Sequence, residues 1–239
     1  SLFYFPDSDV ITFMHSTIRR CQFINCYHNG TQYFPDTYDI GFFASTFEDC
    51  FFQNTGSPHL FGRNSWDENT FERCTFSADI MQLMGGTTYN NCTMIAGSNI
   101  SEVTINQAEQ HVPPADVEFK GGNLVVGKLV ILFGPYTETF NMPNLWWNTT
   151  STEEIDEIIW DYYDNFTSQK VNYTPYRLTP DPEAPAFLLT GGPVEGAVIG
   201  VGDQTFRLVF SRDMATTVSP HVTFGAAVPY TQNHILGDW

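Results

Sequence analysis

The sequence predicts an all-β fold: a right-handed parallel β-helix with a short capping helix, followed by part of a second β domain. Three observations predict it. A seven-residue line centred on Cys recurs four times within the first 94 residues, one amphipathic helical pattern spans 151–166, and alternating strand-like segments follow a run of prolines.

The recurring line reads Thr, large apolar, any, any, Cys, any, large apolar. Its copies are Thr17-Ile18-x-x-Cys21-x-Phe23, Thr46-Phe47-x-x-Cys50-x-Phe52, Thr70-Phe71-x-x-Cys74-x-Phe76 and Thr88-Tyr89-x-x-Cys92-x-Met94. Successive cysteines stand 29, 24 and 18 residues apart, so one unit recurs with insertions of varying length. Such self-similarity marks a solenoid, whose repeats bury their apolar faces against one another. Side chains alternate along a strand, so each Cys shares a face with the large apolar residue two positions on. Thr, Ile, Phe and Tyr favour strands, while Asn25, Asn54, Gly56, Gly85 and Gly86 suit the corners between copies. No copy carries a helical stripe for a dozen residues. Coil stacked on coil, the copies align like residues in interior ladders.

Free Cys is small and apolar, so a file of Cys21, Cys50, Cys74 and Cys92 reads first as core filling. A disulfide between neighbouring coils and a metal site are the alternatives. Spacing argues against zinc, because the repeated cysteines lack a short C-x-x-C pair and no His cluster joins them. Cys26 lies outside the pattern and is a candidate partner for Cys21.

Composition narrows the function. The 239 residues suffice for one large domain and part of another, and 42% hydrophobic residues with 21 Phe supply a core. There are 27 Asp and Glu against 10 Lys and Arg, a formal charge of −17. Phosphate backbones and anionic membranes demand clustered cations, so neither nucleic acid nor a membrane surface is an expected partner. No apolar run is long enough to span a bilayer. The chain opens Ser1-Leu2-Phe3-Tyr4-Phe5 without an initiator Met, as a processed product or a piece of a longer protein would. Sequons point to an extracellular or cell-surface location. Expected glycan acceptors are Asn29, Asn99, Asn148, Asn165 and Asn172, whereas Asn91 sits beside a ladder Cys and is a poorer one.

Along the chain, 28–44 and 55–68 are long outward loops, the first read as a flap over the coil. Tyr33, Asp36, Tyr38, Asp39, Arg63, Trp66 and Asp67 make these loops the candidate ligand site, for carbohydrate, calcium or a neighbouring protein. Val117-Glu118-Phe119-Lys120, Asn123–Gly127 and Leu129–Phe133 read as further, less regular rungs. Ser151-Thr152-Glu153-Glu154 is a capping box, and Ile155, Ile158, Ile159, Tyr162, Tyr163 and Phe166 then follow at helical spacing. Glu153, Asp156, Glu157, Asp161 and Asp164 form the opposite, solvated face. A helix laid over the end of a solenoid covers its exposed edge.

Two stretches resemble known families. Asn144-Leu145-Trp146-Trp147-Asn148-Thr149-Thr150, then Ile155…Ile158-Ile159-Trp160-Asp161…Asp164…Lys170-Val171-Asn172-Tyr173-Thr174-Pro175-Tyr176, resembles the C-terminal end of secreted right-handed parallel β-helix repeat proteins. In that family an Asn-x-Trp-Trp-Gly-like turn precedes a short helix and a Lys-Val-x-Tyr-x-Pro strand; Asn148 stands here where Gly is common. Phe206-x-Leu-Val-Phe-Ser211-x-Asp213-Met214…Pro220-x-Val222-Thr223-Phe224-Gly225 resembles bacterial Ig-like modules of surface-layer and adhesin proteins. The resemblances imply a β-helix over 1–178 and an incomplete Ig-like β-sandwich over 193–239, and Pro180, Pro182 and Pro185 make 179–192 a stiff Pro/Gly linker between them. A full sandwich needs about 100 residues, so a continuation or a partner strand would complete it.

Many extracellular β-helices cleave polysaccharides. Glycoside hydrolysis needs two carboxyls set across the sugar, and lyases need a base with a cationic helper. Asp36, Asp39, Asp49 and Asp67 are the available acids, with Arg63 and Arg73 as cations, yet they form no Asp-Asp, Gly-His-Gly or Arg-x-Lys signature. His15, His28, His59, His111, His221 and His234 are scattered and read as surface or turn residues. Asp7-Ser8-Asp9 suggests calcium but lacks the rest of an EF loop. The expected function is therefore a non-catalytic extracellular structural module. It would be a subunit of a surface layer, appendage or adhesive stalk that contacts its own copies or neighbouring surface proteins, without a required cofactor. A carbohydrate-active enzyme or carbohydrate-binding adhesin is the alternative.

Overall fold

The computed structural model describes residues 2–4, 12–24, 41–53, 59–60, 69–78, 80–84, 87–96, 102–106, 117–132, 139–192, 205–224 and 233–238. The chain divides into two compact units, Ser1–Pro185 and Ala186–Trp239. The first is a parallel, strongly curled, solenoid-like β structure carrying one helix.

Three parallel ladders make up most of the first unit. One runs through Thr17–Arg19, Thr46–Glu48, Asn69–Glu72 and the first halves of Thr87–Ile95 and Glu118–Val125. A second runs through Leu2–Tyr4, Gln22–Ile24, Phe51–Gln53, Thr75–Ser77, the second halves of the same two long strands, and Leu145–Trp146. The third joins His59–Leu60, Ile80–Met84, Glu102–Asn106, Lys128–Leu132 and Ile159–Trp160. The pairing keeps the repeated line in step: Thr17, Thr46, Thr70 and Thr88 are aligned, and so are Phe23, Phe52, Phe76 and Met94.

Inside, the aromatic residues form two files. Phe23, Phe52 and Phe76 stack nearly parallel, with centroids 4.6 and 5.1 Å apart. Phe47, Phe71, Tyr89 and Phe119 stack at 5.0, 5.4 and 5.4 Å. The files meet edge to face, for example Phe71 on Phe76 at 5.3 Å and 79°. Offset stacks and edge contacts are the arrangements that the ring quadrupole favours, each adding about 0.5–1.5 kcal/mol beyond burial. All seven rings are buried.

The corner between the first two ladders lies within the repeated line, one residue before the Cys. Arg20, Asp49, Arg73 and Asn91 have φ of 52°, 53°, 49° and 49°, and Gly121 continues the series at 79°. Left-handed backbone costs a non-glycine residue about 1–2 kcal/mol, less for Asn and Asp. It turns the chain while keeping its amides in the ladder: Arg20, Asp49 and Arg73 donate their N–H to Glu48, Glu72 and Asn90 carbonyls of the next coil at 2.9–3.0 Å. The glycines and asparagines expected at corners (Asn25, Asn54, Gly56, Gly85, Gly86) lie outside the described residues. A second corner also turns through left-handed residues, His15 at φ 48° and Ala44 at φ 44°, and carries buried polar side chains as well. Ser45 Oγ accepts the Ser16 N–H and Asn69 Oδ1 accepts the Ser45 N–H, both at 3.1 Å.

The helix is shorter than the sequence pattern suggests. It spans Thr152–Ile158, not 151–166, and Ile159 is already extended at φ −85°, ψ 124°. Ile159 and Trp160 pair with Leu129 and Val130 of the third ladder, so a strand register takes residues that the periodicity assigns to a helix. Asp161 then enforces a turn. Rather than facing solvent it is buried, accepting the N–H of Tyr163 at 2.9 Å and of Val171 at 2.8 Å. Tyr163 and Phe166 consequently point outward, 75% and 78% exposed, not into a core. At the helix start Ser151 accepts the Glu154 N–H, but the reciprocal half of the capping box is rerouted: Thr149 Oγ bridges Ser151 N–H and the Glu154 carboxylate. Asn148, standing where Gly is common, adopts φ 61°.

The prolines after 178 do not begin a free linker. Residues through Pro185 belong to the first unit, past the boundary expected at 178. The buried Asp181 side chain accepts the Gly122 N–H at 2.8 Å and meets Arg177 at 3.3 Å. Its own N–H donates to Asn123 Oδ1 at 2.7 Å, and Thr93 Oγ donates to the Pro185 carbonyl at 2.8 Å.

The second unit contains, among the described residues, two separate antiparallel pairs: Leu188–Gly191 with Leu208–Phe210, and His221–Phe224 with Asn233–Leu236. They do not by themselves constitute the Ig-like sandwich expected over 193–239.

Two substitutions test this packing. Gly122 has φ 125°, and a Cβ there would fall on the Cys92 backbone oxygen and 3.0 Å from its nitrogen. Gly122→Ala should lower stability by at least ~2 kcal/mol, measured by denaturant titration. Asp181→Ala strands the buried Gly122 N–H and should cost about 2 kcal/mol in the same assay; a change below ~0.5 kcal/mol, the range of ordinary surface substitutions, would show that the 179–185 segment does not hold the last coils.

Candidate functional site

Cys21, Cys50, Cys74 and Cys92 follow the left-handed corners in successive coils, all buried and all free thiols. Cys21 is therefore not disulfide-bonded, and its candidate partner Cys26 lies outside the described residues. Three thiols donate along the stack to the preceding coil, Cys50 Sγ to the Ile18 carbonyl at 3.7 Å, Cys74 Sγ to the Phe47 carbonyl at 3.3 Å and Cys92 Sγ to the Phe71 carbonyl at 3.4 Å, while Cys21 Sγ meets the Arg19 carbonyl of its own coil at 3.3 Å. The Cys74 contact and then burial raise the Cys50 pKa, while burial leads for Cys74. Thiols held protonated in this way are poor nucleophiles and poor metal ligands. The file ends at Gly122, which occupies the Cys position of the next coil.

The outer side of the same ladder carries charge. Arg19 pairs with Glu48 at 2.6 Å, and Arg73 bridges Asp49 at 2.8 Å and Glu72 at 2.5 Å. Asn90 Nδ2 extends the row to Glu72 at 2.6 Å. Hydrogen bonding to Glu48 and to Asp49 raises the pKa of Arg19 and Arg73 respectively. Asp49 and Arg73, weighed above as an acid and a cationic helper, thus neutralise each other across adjacent coils. Exposed pairs of this kind are screened by solvent and add little stability, but they set which side chains sit above one another.

Of the remaining sequence-predicted site residues, Tyr33, Asp36, Tyr38, Asp39, Arg63, Trp66 and Asp67 lie outside the described residues, as do Asn29, Asn99 and the Asp7-Ser8-Asp9 triplet. Four sequons lie among the described residues. Asn165 Oδ1 accepts from Thr167 N at 3.1 Å and Oγ at 2.9 Å, and Asn172 Oδ1 from Thr174 N at 3.2 Å and Oγ at 2.8 Å. Asn148 is exposed. The Asn91 sequon differs, since its Thr93 is fully buried and committed to Pro185.

Sequence reasoning missed one surface. The turn held by Asp161 gathers Tyr162, Tyr163 and Phe166, with Lys170 Nζ 4.9 Å from the Tyr162 ring and 5.3 Å from Tyr163. The helical spacing pointed these rings inward. Only the Asp161 carboxylate, three residues after the last helical Ile, signalled a stop. Next to the helix, burial and then a 2.7 Å hydrogen bond to Asp156 push the Tyr173 hydroxyl up to about 12.

No family model, curated protein or solved structure matches this chain. The β-helix and surface-layer resemblances therefore rest on the quoted residues alone.

The thiol file makes a direct prediction. Iodoacetamide should leave Cys50, Cys74 and Cys92 unmodified in the native protein and label all three after unfolding, as read by peptide mass spectrometry. Native labelling at the denatured rate would show the ladder to be open.

Proposed function

We propose that the protein is a non-catalytic extracellular structural module, a subunit of a cell-surface layer, filament or adhesive stalk. In this reading the curled parallel sheet closes as a right-handed β-helix, and the second unit is the start of an Ig-like sandwich. The observation that carries the proposal is the continuous aromatic interior. Two ring files cross coil after coil in fixed register, a construction suited to stiffness because no rung can shift without breaking both stacks. The second unit supports an assembly role: its strand pairs are short, and Leu188, Val218, Ile235 and Leu236 are exposed. Exposed apolar side chains on short strand pairs suit association with a copy or a neighbour. A low charged fraction and the sequons favour an extracellular setting, and the reading calls for no cofactor.

One observation favours a second reading, a carbohydrate-binding adhesin. Exposed Tyr163 and Phe166 offer flat faces on which a pyranose can stack. Negative-stain microscopy of the native material separates the two, with ordered filaments or lattices expected. Dispersed single particles that bind or cleave members of a panel of neutral and acidic polysaccharides would overturn the structural proposal.

A further inference from the structure

The second unit brings two scattered histidines together. His221 and His234 lie on the two paired strands His221–Phe224 and Asn233–Leu236, offset across the ladder, since His221 faces Leu236 and His234 faces Thr223. Their ring centroids are 4.8 Å apart at an interplanar angle of 62°, and both side chains are exposed. We propose that His221 and His234 form a binding site for a divalent late transition metal such as Zn²⁺, Ni²⁺ or Cu²⁺.

The separation of the ring centres matches that of two cis imidazole ligands on one ion. A metal–nitrogen bond of about 2.0–2.1 Å, plus about 1.1 Å from nitrogen to ring centre, puts each centroid about 3.2 Å from the ion. At ligand angles of about 90–110°, between octahedral and tetrahedral, the two centroids then stand about 4.5–5.2 Å apart. The observed separation falls inside that interval. Imidazole suits these ions, and the two rings are held on paired backbone rather than on one flexible loop, so little ordering is needed on binding. Neither ring is committed to a hydrogen bond or ion pair among the described residues. A chain of net charge −17 also attracts cations in general. No third His, Cys, Asp or Glu joins the pair among the described residues, so the rest of the coordination sphere is left to water or to a donor from another molecule. The ladder thiols do not compete, because they are buried in the core. The site is independent of the architectural proposal.

Isothermal titration of the full chain with Ni²⁺, and then Zn²⁺, tests it. One saturable ion per chain is expected, with His221→Ala and His234→Ala each weakening binding at least tenfold and His15→Ala leaving it unchanged. Proton NMR gives a readout that does not depend on the variants folding. Substoichiometric Ni²⁺ should broaden the imidazole resonances of His221 and His234 before any others. Absence of saturable binding at about 1 mM metal, the millimolar limit of weak association, would overturn the proposal. Binding that neither variant weakens, or broadening centred on other residues, would do so equally.

Discussion

Everything in the first unit depends on a spatial constraint at one corner. Each coil passes between its first two ladders through left-handed backbone, and the next residue must fit against the backbone of the coil before it. Cys fits, since its sulfur reaches a carbonyl one coil away at 3.3–3.4 Å for Cys74 and Cys92. At Gly122 the space has closed, and only a hydrogen remains. The Thr and aromatic files are consequences of that phasing. Once the corner is set, the apolar residue three positions before the Cys and the one two positions after it both face the interior.

The same constraint decides where strain is tolerated. Four of the five residues in the corner series are not glycine, and Arg20 and Arg73 gain no local side-chain relief of the Asn or Asp kind. What offsets their backbone conformation is the ladder itself, which keeps the corner amides bonded to the next coil. The outer ion pairs Arg19–Glu48 and Arg73–Asp49 add a second, weaker link between the same coils. Near the last coils the 179–185 segment takes over this task, with Asp181 accepting the amide of Gly122 just after the left-handed Gly121.

Six of the buried polar side chains follow one logic. Ser45, Asn69, Thr93, Asn123, Asp161 and Asp181 are all buried, and each serves a backbone group that a curved, interrupted sheet would otherwise leave unmet. A buried polar group without a partner costs about 1–3 kcal/mol, so such residues appear where ladders begin, bend or end. They also explain why the helix stops: Asp161 gains two backbone donors by leaving it.

The sequence alone determined the repeating unit, its strand character, the in-step alignment of Thr17, Thr46, Thr70 and Thr88, and the burial of the Cys file. Those properties are local, set by side-chain alternation and residue type. It also placed the helix start at Ser151, because a cap is written in adjacent residues. Only the tertiary structure decided where the helix ends, that the prolines pack against the coil, which rings face outward at Tyr163 and Phe166, and that His221 meets His234. Each of these depends on a partner distant in the chain: Leu129 and Val130 for Ile159 and Trp160, Gly122 and Asn123 for Asp181, and one strand of a pair for the other. Periodicity describes a segment's own preference, and here the hydrogen-bonding demand of a remote ladder outweighed it.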